Sequence, residues 1–132
     1  MESLKKRLEL AANALDRLGE LTEKETLSEV ERDALIQRFE FCFEIMWKCG
    51  KDYLLDMDGL EAASPRKVIR LLREVGILDD EETTLALALA DDRNLTAHTY
   101  DEKTAIAIAK RICDYEPLMR SWHQRMTGRE RR

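Results

Sequence analysis

The sequence predicts an all-α fold, an up-and-down antiparallel bundle of four to five helices. The 132 residues are 37% charged and 44% hydrophobic and include only five Gly and two Pro, a composition typical of long amphipathic helices. Apolar residues recur at spacings of three and four, and no segment shows the alternation of a strand. The length predicts one domain at residues 1–126, followed by a flexible C-terminal tail at 127–132.

The first two helices are predicted from their apolar positions and caps. The first ends between Gly19 and Thr26, and its apolar positions are Leu4, Leu8, Ala11, Leu15 and Leu18. The second begins with the capping-box pattern of Ser28 and Glu31 and ends near Gly59. Two adjacent apolar stripes make it the expected central helix: Ile36, Phe39, Phe43, Trp47 and Leu54, and Leu35, Cys42, Met46, Cys49 and Tyr53.

Three further helices follow. Ser64 and Pro65 predict an N-terminal cap, and Gly76 predicts the end of this third helix. The acidic residues 79–82 favour the start of a fourth helix. The pattern at 99–102 resembles another capping box and predicts a fifth helix, which Pro117 bends. The apolar positions of the fifth helix are Ile108, Ile112, Tyr115, Met119, Trp122 and Met126. The seven-residue spacing on the first and last helices fits packing within the chain and also packing against a second subunit.

Charge and hydropathy restrict the class of protein. The formal net charge is −5, so the overall charge does not favour nucleic acid, and RNA contact would need a local basic surface. No apolar run reaches the roughly 18 residues of a membrane span, and the N-terminus lacks the apolar core of a signal peptide. We therefore expect a cytoplasmic protein. Cys42, Cys49 and Cys113 show no disulfide or zinc spacing, and we interpret them as small buried hydrophobic residues.

The segment from Arg93 to Tyr100 carries the side chains best suited to chemistry on a phosphate. Arg93 is a permanent planar cation, His98 changes charge near neutral pH, and the hydroxyl of Tyr100 can donate or accept a hydrogen bond. On a regular helix Arg93 and His98 point about 140° apart, whereas Asn94 and His98 share a face. A frayed helix end or a twofold axis between two copies would bring Arg93 and His98 together. The alternative is structural: Arg93 pairs with Asp91, Asp92 or another acid, and Tyr100 packs internally.

Other charged positions are weaker candidates. The Arg66, Arg70 and Arg73 stripe on the third helix could contact RNA or a partner, or be an ordinary solvated face. On the central helix, Glu44 and Lys48 form a favourable pair at i and i+4, and a catalytic carboxylate at Glu40 or Glu44 is a further hypothesis. His123 is expected to have a packing or surface role. No glycine-rich phosphate loop is present.

From about Asp33 to Met126 the chain resembles the nucleotidyltransferase substrate-binding protein family of the HEPN superfamily, the HepT-like partners of minimal nucleotidyltransferases. The resemblance is carried by residues 38–44, 47–48, 51–54 and 64–66, by Gly76, and by residues 92–100, which fit the family motif R-x4-H-x-Y. Relatives often carry bulky residues just before the motif, whereas residues 83–90 are mostly small and aliphatic here.

The resemblance implies a helical-bundle homodimer encoded beside a minimal nucleotidyltransferase. In HepT-like toxins the motif Arg and His form a metal-independent ribonuclease site at the dimer interface, and the motif Tyr is adenylylated by the partner. Carried over, Arg93 would hold the scissile phosphate, His98 would move a proton, Asn94 would orient one of them, and Tyr100 would receive the nucleotide. No cofactor or metal is expected in this chain. The alternative function is a non-catalytic subunit that binds nucleotide or substrate for the nucleotidyltransferase.

Overall fold

A computed structural model describes residues 2–130, and this part of the chain contains five α-helices and one turn of 3-10 helix. The helices are α1 (Glu2–Thr22), α2 (Glu29–Asp58), α3 (Pro65–Glu74), α4 (Asp80–Leu95) and α5 (Glu102–Glu130), and the 3-10 turn is Thr96–His98. The prediction of an all-α fold is confirmed.

The four long helices alternate in direction. In α5, Arg120 Nη2 donates to Leu15 O at 3.0 Å, and His123 Nε2 lies 2.8 Å from Leu8 O. Because the residue numbers in these contacts rise along α5 as they fall along α1, α5 is antiparallel to α1. The short helix α3 lies in the connection between α2 and α4 and packs against both. The bundle is therefore formed by α1, α2, α4 and α5, with α3 as an addition.

Helix α2 is the central element, as its two apolar stripes predict. It packs against each of the other four helices. Ser28 Oγ accepts from the backbone N–H of Glu31 at 3.1 Å, and the Glu31 carboxylate accepts from the N–H of Ser28 at 2.9 Å, which completes the predicted capping box. Gly59 ends the helix with φ of 67°, a left-handed conformation that favours glycine.

The core of the bundle contains most of the predicted apolar residues. Along α2, Phe39, Phe43 and Met46 are buried, whereas Trp47 is half-buried. Gly50 allows α2 and α3 to approach closely, because a Cβ at this position would lie 2.8 Å from Val68 Cγ1. The apolar positions of α1 and α5 face this core, so their seven-residue spacing serves packing within the chain.

Both ends of α5 differ from the prediction. The helix begins at Glu102 rather than with a cap at Thr99, because Thr99 Oγ1 donates to Thr96 O of the preceding turn at 3.2 Å. At its other end α5 continues to Glu130, into the predicted tail at 127–132. Arg129 accounts for this extension: its guanidinium lies 5.3 Å from the centre of the Tyr53 ring and 3.3 Å from an oxygen of Asp58. Residues 131–132 lie outside the described residues.

The cysteines fall into two groups. Cys42 and Cys49 are buried, and this burial raises the pKa of each thiol to about 12. Cys113 is exposed, so the prediction that all three are buried is wrong for this residue. Its position explains the error, because the buried stripe of α5 passes through Ile112 and leaves the next residue facing outward. Across residues 2–130, no helix has the length and apolar character to cross a membrane.

Candidate phosphate-binding site at the end of helix α4

The motif lies at one end of the bundle, where the chain passes from α4 to α5. Helix α4 ends at Leu95, the 3-10 turn covers Thr96–His98, and α5 begins at Glu102. The predicted interruption of the helix near His98 is therefore present. Because the helix tightens and ends here, His98 and Tyr100 leave the regular directions of α4, whereas Arg93 lies within the helix. The start of α5 and the N-terminal half of α2 lie against this end of α4.

Arg93 is held against α2. Its Nη1 lies 3.5 Å from Oε2 of Glu40 and donates to Thr96 Oγ1 at 3.2 Å, and this hydroxyl donates back to Arg93 O at 2.6 Å. The Arg93 side chain is 29% exposed, and its Nε is buried without a partner among the described residues. The acid paired with Arg93 is thus Glu40, and not its neighbours Asp91 and Asp92. The partly exposed guanidinium, with one long ion pair, can donate hydrogen bonds to a further anionic ligand.

His98 and Tyr100 are exposed beyond the end of α4. The Tyr100 side chain is 86% exposed, and its hydroxyl oxygen lies 3.5 Å from Nδ1 of His98. The two rings meet edge to face with centroids 5.9 Å apart. The prediction that the Tyr100 hydroxyl is accessible is confirmed, and the alternative of an internally packed ring is wrong. A group attached to this hydroxyl would lie directly beside the imidazole.

The single chain does not join the two halves of the motif. Among residues 2–130, no hydrogen bond or ring contact links Arg93 to His98, and none links Asn94 to His98. Asn94 is exposed on the last turn of α4. The geometry therefore provides an arginine anchored on α2 and, separately, an exposed histidine with a tyrosine beside it.

A buried carboxylate next to the motif fixes α4 onto α5. Asp92 accepts from Arg111 Nε at 2.6 Å and from Arg111 Nη2 at 2.8 Å, and the Tyr115 hydroxyl donates to it at 2.5 Å. Tyr115 also stacks on Phe39 of α2, with ring centroids 5.8 Å apart. Asp92 thus connects the end of α4 with α5 and, through Tyr115, with α2. Because Arg93 is the next residue, this network sets the position from which Arg93 reaches Glu40.

The network also keeps Asp92 ionised. Burial favours the neutral acid, but the hydrogen bonds from Arg111 and Tyr115 outweigh this effect and lower the pKa of Asp92 below its usual value. Burial and the bond to Asp92 raise the pKa of Tyr115. Sequence reasoning missed Arg111 and Thr96. The i and i+4 spacing of Arg111 and Tyr115, which places two polar groups on one face of α5, was the available signal.

The arginine stripe on α3 is partly neutralised. Arg66 forms an ion pair with Asp91, and Arg73 Nε lies 2.5 Å from an oxygen of Asp80, whereas Arg70 has no ion pair within the described residues. On α2, the predicted Glu44–Lys48 pair has an N–O distance of 3.7 Å. His123 contacts the backbone of α1, which confirms its packing role. The described part of the chain holds no group of three or more His, Cys, Asp or Glu residues able to bind a metal ion.

Two solved structures share this architecture. A crystal structure of a protein from Thermus thermophilus is 54% identical, with a TM-score of 0.84, and the match covers 92% of this chain and 99% of that one. A Haemophilus influenzae structure, described as the fold of a substrate binding domain of a nucleotidyltransferase, is 21% identical, with a TM-score of 0.73 and coverage of 91% and 98%. The second likeness shows the fold alone.

Sequence comparison identifies the family. A Haemophilus influenzae protein named probable ribonuclease HepT is 32% identical over 84 residues, which cover 61% of this chain and 56% of the relative. The match therefore spans little more than half the length of that relative. The family model described as nucleotidyltransferase substrate binding protein like matches residues 6–128, nearly the whole chain. The chain therefore belongs to the family of nucleotidyltransferase substrate binding protein like proteins.

Proposed function

We propose that this protein is a HepT-like metal-independent endoribonuclease, the toxin of a pair whose antitoxin is a minimal nucleotidyltransferase. The observation that carries the proposal is the arrangement at the end of α4: Arg93 is held against Glu40 but partly exposed, and His98 is exposed beside Tyr100. The similarity to a protein named probable ribonuclease HepT supports it.

The reaction would be a transesterification within the RNA. The 2′-hydroxyl attacks the adjacent phosphorus and gives its proton to a general base of the protein. The bond between phosphorus and the 5′-oxygen breaks, and this oxygen receives a proton from a general acid. The products are a 2′,3′-cyclic phosphate and a 5′-hydroxyl. His98 moves one of these protons, and Arg93 stabilises the charge that develops on the phosphate oxygens. DNA lacks the attacking hydroxyl and would not react.

A homodimer would complete this site. Arg93 and His98 are not in contact within one chain, but Arg93 of one subunit and His98 of another can meet across a twofold axis. The apolar side chain of Leu95, which is 41% exposed at this end of the bundle, supports such an interface. Sedimentation at micromolar concentration tests the proposal, and a monomer would contradict it.

The activity test uses purified protein, an RNA oligonucleotide and EDTA. We expect cleavage to persist in EDTA and to be lost in His98→Ala and in Arg93→Ala. Asp91→Ala serves as a matched control, because Asp91 is adjacent in sequence but exposed and paired with Arg66. Its activity should equal that of the unaltered protein. Cleavage that is unchanged in His98→Ala would refute the catalytic assignment.

The alternative is a non-catalytic subunit that binds nucleotide or substrate for the nucleotidyltransferase. The net charge of −5 and the ion pairs of Arg66 and Arg73 favour it, because both weaken general attraction for RNA. Co-purification with the product of the neighbouring gene tests both functions. A stable complex without RNA cleavage would support the alternative, and the absence of a complex would count against it.

Tyr100 is the proposed site of modification. Its hydroxyl is accessible and lies beside His98, so an attached AMP would place negative charge and bulk where RNA must bind. Incubation with the partner nucleotidyltransferase, ATP and magnesium should transfer AMP to the Tyr100 oxygen and release pyrophosphate. Mass spectrometry should find the added mass in the unaltered protein and not in Tyr100→Phe. Modification that persists in the variant would assign it to another residue.

A further inference from the structure

A cavity lies between the C-terminal end of α1, the α1–α2 loop, the start of α2 and the first half of α5. Its volume is about 280 Å³. Part of its wall is apolar and is formed by Leu21, Leu27 and Ile106, the last of which is 38% exposed. The volume is close to the lower end of the range for small-molecule sites, about 300 Å³.

The remaining wall of this cavity is rich in cations. Lys24, Arg32 and Lys110 line it together with one carboxylate, Glu25. Lys24 is engaged by Glu31, but Arg32 and Lys110 have no ion-pair partner among residues 2–130. Arg32 Nε is, in addition, buried without a hydrogen-bond partner. A buried guanidinium nitrogen without an acceptor is costly, and an anionic ligand would supply the acceptor.

The cavity lies at the same end of the bundle as the motif. Arg32 precedes Glu40 by eight residues on α2, about 12 Å at the rise of an α-helix. Lys110 directly precedes Arg111, which binds Asp92 beside the motif. The two features share α2 and α5 but no lining residue, so the cavity can be tested separately from Arg93 and His98.

We infer that this cavity binds a nucleotide, either free or as one residue of an RNA strand. Arg32 and Lys110 would hold the phosphate, and the apolar wall of Leu21, Leu27 and Ile106 would contact the base. Arg32 is suited to this role, because its planar guanidinium can bind phosphate oxygens through two donors. A phosphate would pair with Arg32 and Lys110, and a base would cover the exposed apolar side chain of Ile106.

Cys113 provides a direct probe of occupancy. It lines the cavity and is exposed, whereas the other two cysteines are buried. Iodoacetamide is uncharged, so its access to Cys113 reports a filled cavity without competing for the cations. With AMP at about three times its dissociation constant, about three quarters of the sites are filled, and alkylation of Cys113 should slow about fourfold.

Two comparisons make the test specific. The ratio of alkylation rates with and without AMP should return to one in Arg32→Ala/Lys110→Ala and remain unchanged in Lys67→Ala, a control at an exposed lysine on α3. If the double variant does not fold, the single variant Lys110→Gln replaces it, and this variant should show reduced protection of Cys113 by AMP. Removing the cations can change the rate at which Cys113 is alkylated even without AMP. The ratio of rates within one variant cancels this change. Protection that survives the loss of both cations, or no protection by any nucleotide, would overturn the inference.

The choice of ligand identifies the source of the nucleotide and the role of the base. Protection by AMP at lower concentration than by a short oligoribonucleotide indicates a free nucleotide, and the reverse order indicates RNA. Equal protection by ribose 5-phosphate would overturn the assignment of the apolar wall to the base. His98→Ala should retain full protection, because His98 is not part of the cavity. Loss of RNA cleavage and loss of protection are therefore distinguishable outcomes.

Discussion

Replacing Asp92 with alanine should destabilise the protein far more than the same change at Asp91. The two residues are adjacent, and each forms an ion pair with an arginine. Their surroundings differ, because the Asp92 side chain is 7% exposed and that of Asp91 is 61% exposed. A buried acceptor that is removed leaves its donors without partners, whereas an exposed one is replaced by water.

The expected magnitude follows from the three hydrogen bonds of Asp92. Removing the carboxylate leaves the hydroxyl of Tyr115 buried without an acceptor, at a cost of about 1–3 kcal/mol. The Arg111 side chain is 45% exposed and can turn towards water, so the loss of its ion pair adds at most about 1 kcal/mol. The sum is about 1–4 kcal/mol for Asp92→Ala. For Asp91→Ala the expected loss is below about 1 kcal/mol.

Urea unfolding followed by circular dichroism measures both variants. At about 4 °C per kcal/mol for a chain of this length, Asp92→Ala should also lower the melting temperature by about 4–16 °C. A double-mutant cycle with Tyr115→Phe should show coupling, since the hydroxyl has its acceptor on Asp92. Equal losses for Asp92→Ala and Asp91→Ala would refute the reasoning. So would an absence of coupling to Tyr115.

Three further predictions concern packing, pH and thiol reactivity. Gly50→Ala should reduce the free energy of unfolding by about 1–3 kcal/mol, because the new Cβ meets Val68, whereas Gly128→Ala, in open space on α5, should increase it by about 0.5–1 kcal/mol. Urea unfolding measures both. The unaltered protein should have a larger free energy of unfolding than Asp92→Asn. This difference should be complete above the ordinary aspartate pKa of 3.8 and should decline as the pH falls through the lower pKa that Asp92 has in the folded protein. Urea unfolding at pH values between about 6 and about 3 measures the difference. Iodoacetamide should alkylate one thiol, Cys113, in the native protein and all three after unfolding, as counted by mass spectrometry.

Local signals in the sequence predicted much of the fold. The capping box at Ser28 and the glycines at 59 and 76 mark helix ends that depend on neighbouring residues only, and the structure has them in place. The apolar spacing of α5 likewise identified its buried face through Ile108 and Ile112. Predictions failed where a tertiary contact overrides the local pattern. Arg129 extends α5 through Tyr53 and Asp58, which lie more than 70 residues away in the chain.

The candidate site divides in the same way. Its residue types and the interruption of the helix near His98 follow from the sequence between Arg93 and Tyr100 alone. The partner of Arg93 does not, because Glu40 is brought to it only when α4 packs against α2. The same applies to Asp92, whose partners are 19 and 23 residues away on another helix.

The sequence by itself determined the helices, their buried faces and the chemical groups of the motif, because these depend on residues within a few turns of one another. The tertiary structure alone decided which acid pairs with Arg93, that Asp92 is buried and ionised, and that Arg32 and Lys110 line a common cavity. Such pairings join residues on different helices. Their distances are set by how the whole apolar core packs, and no short stretch of sequence contains that information.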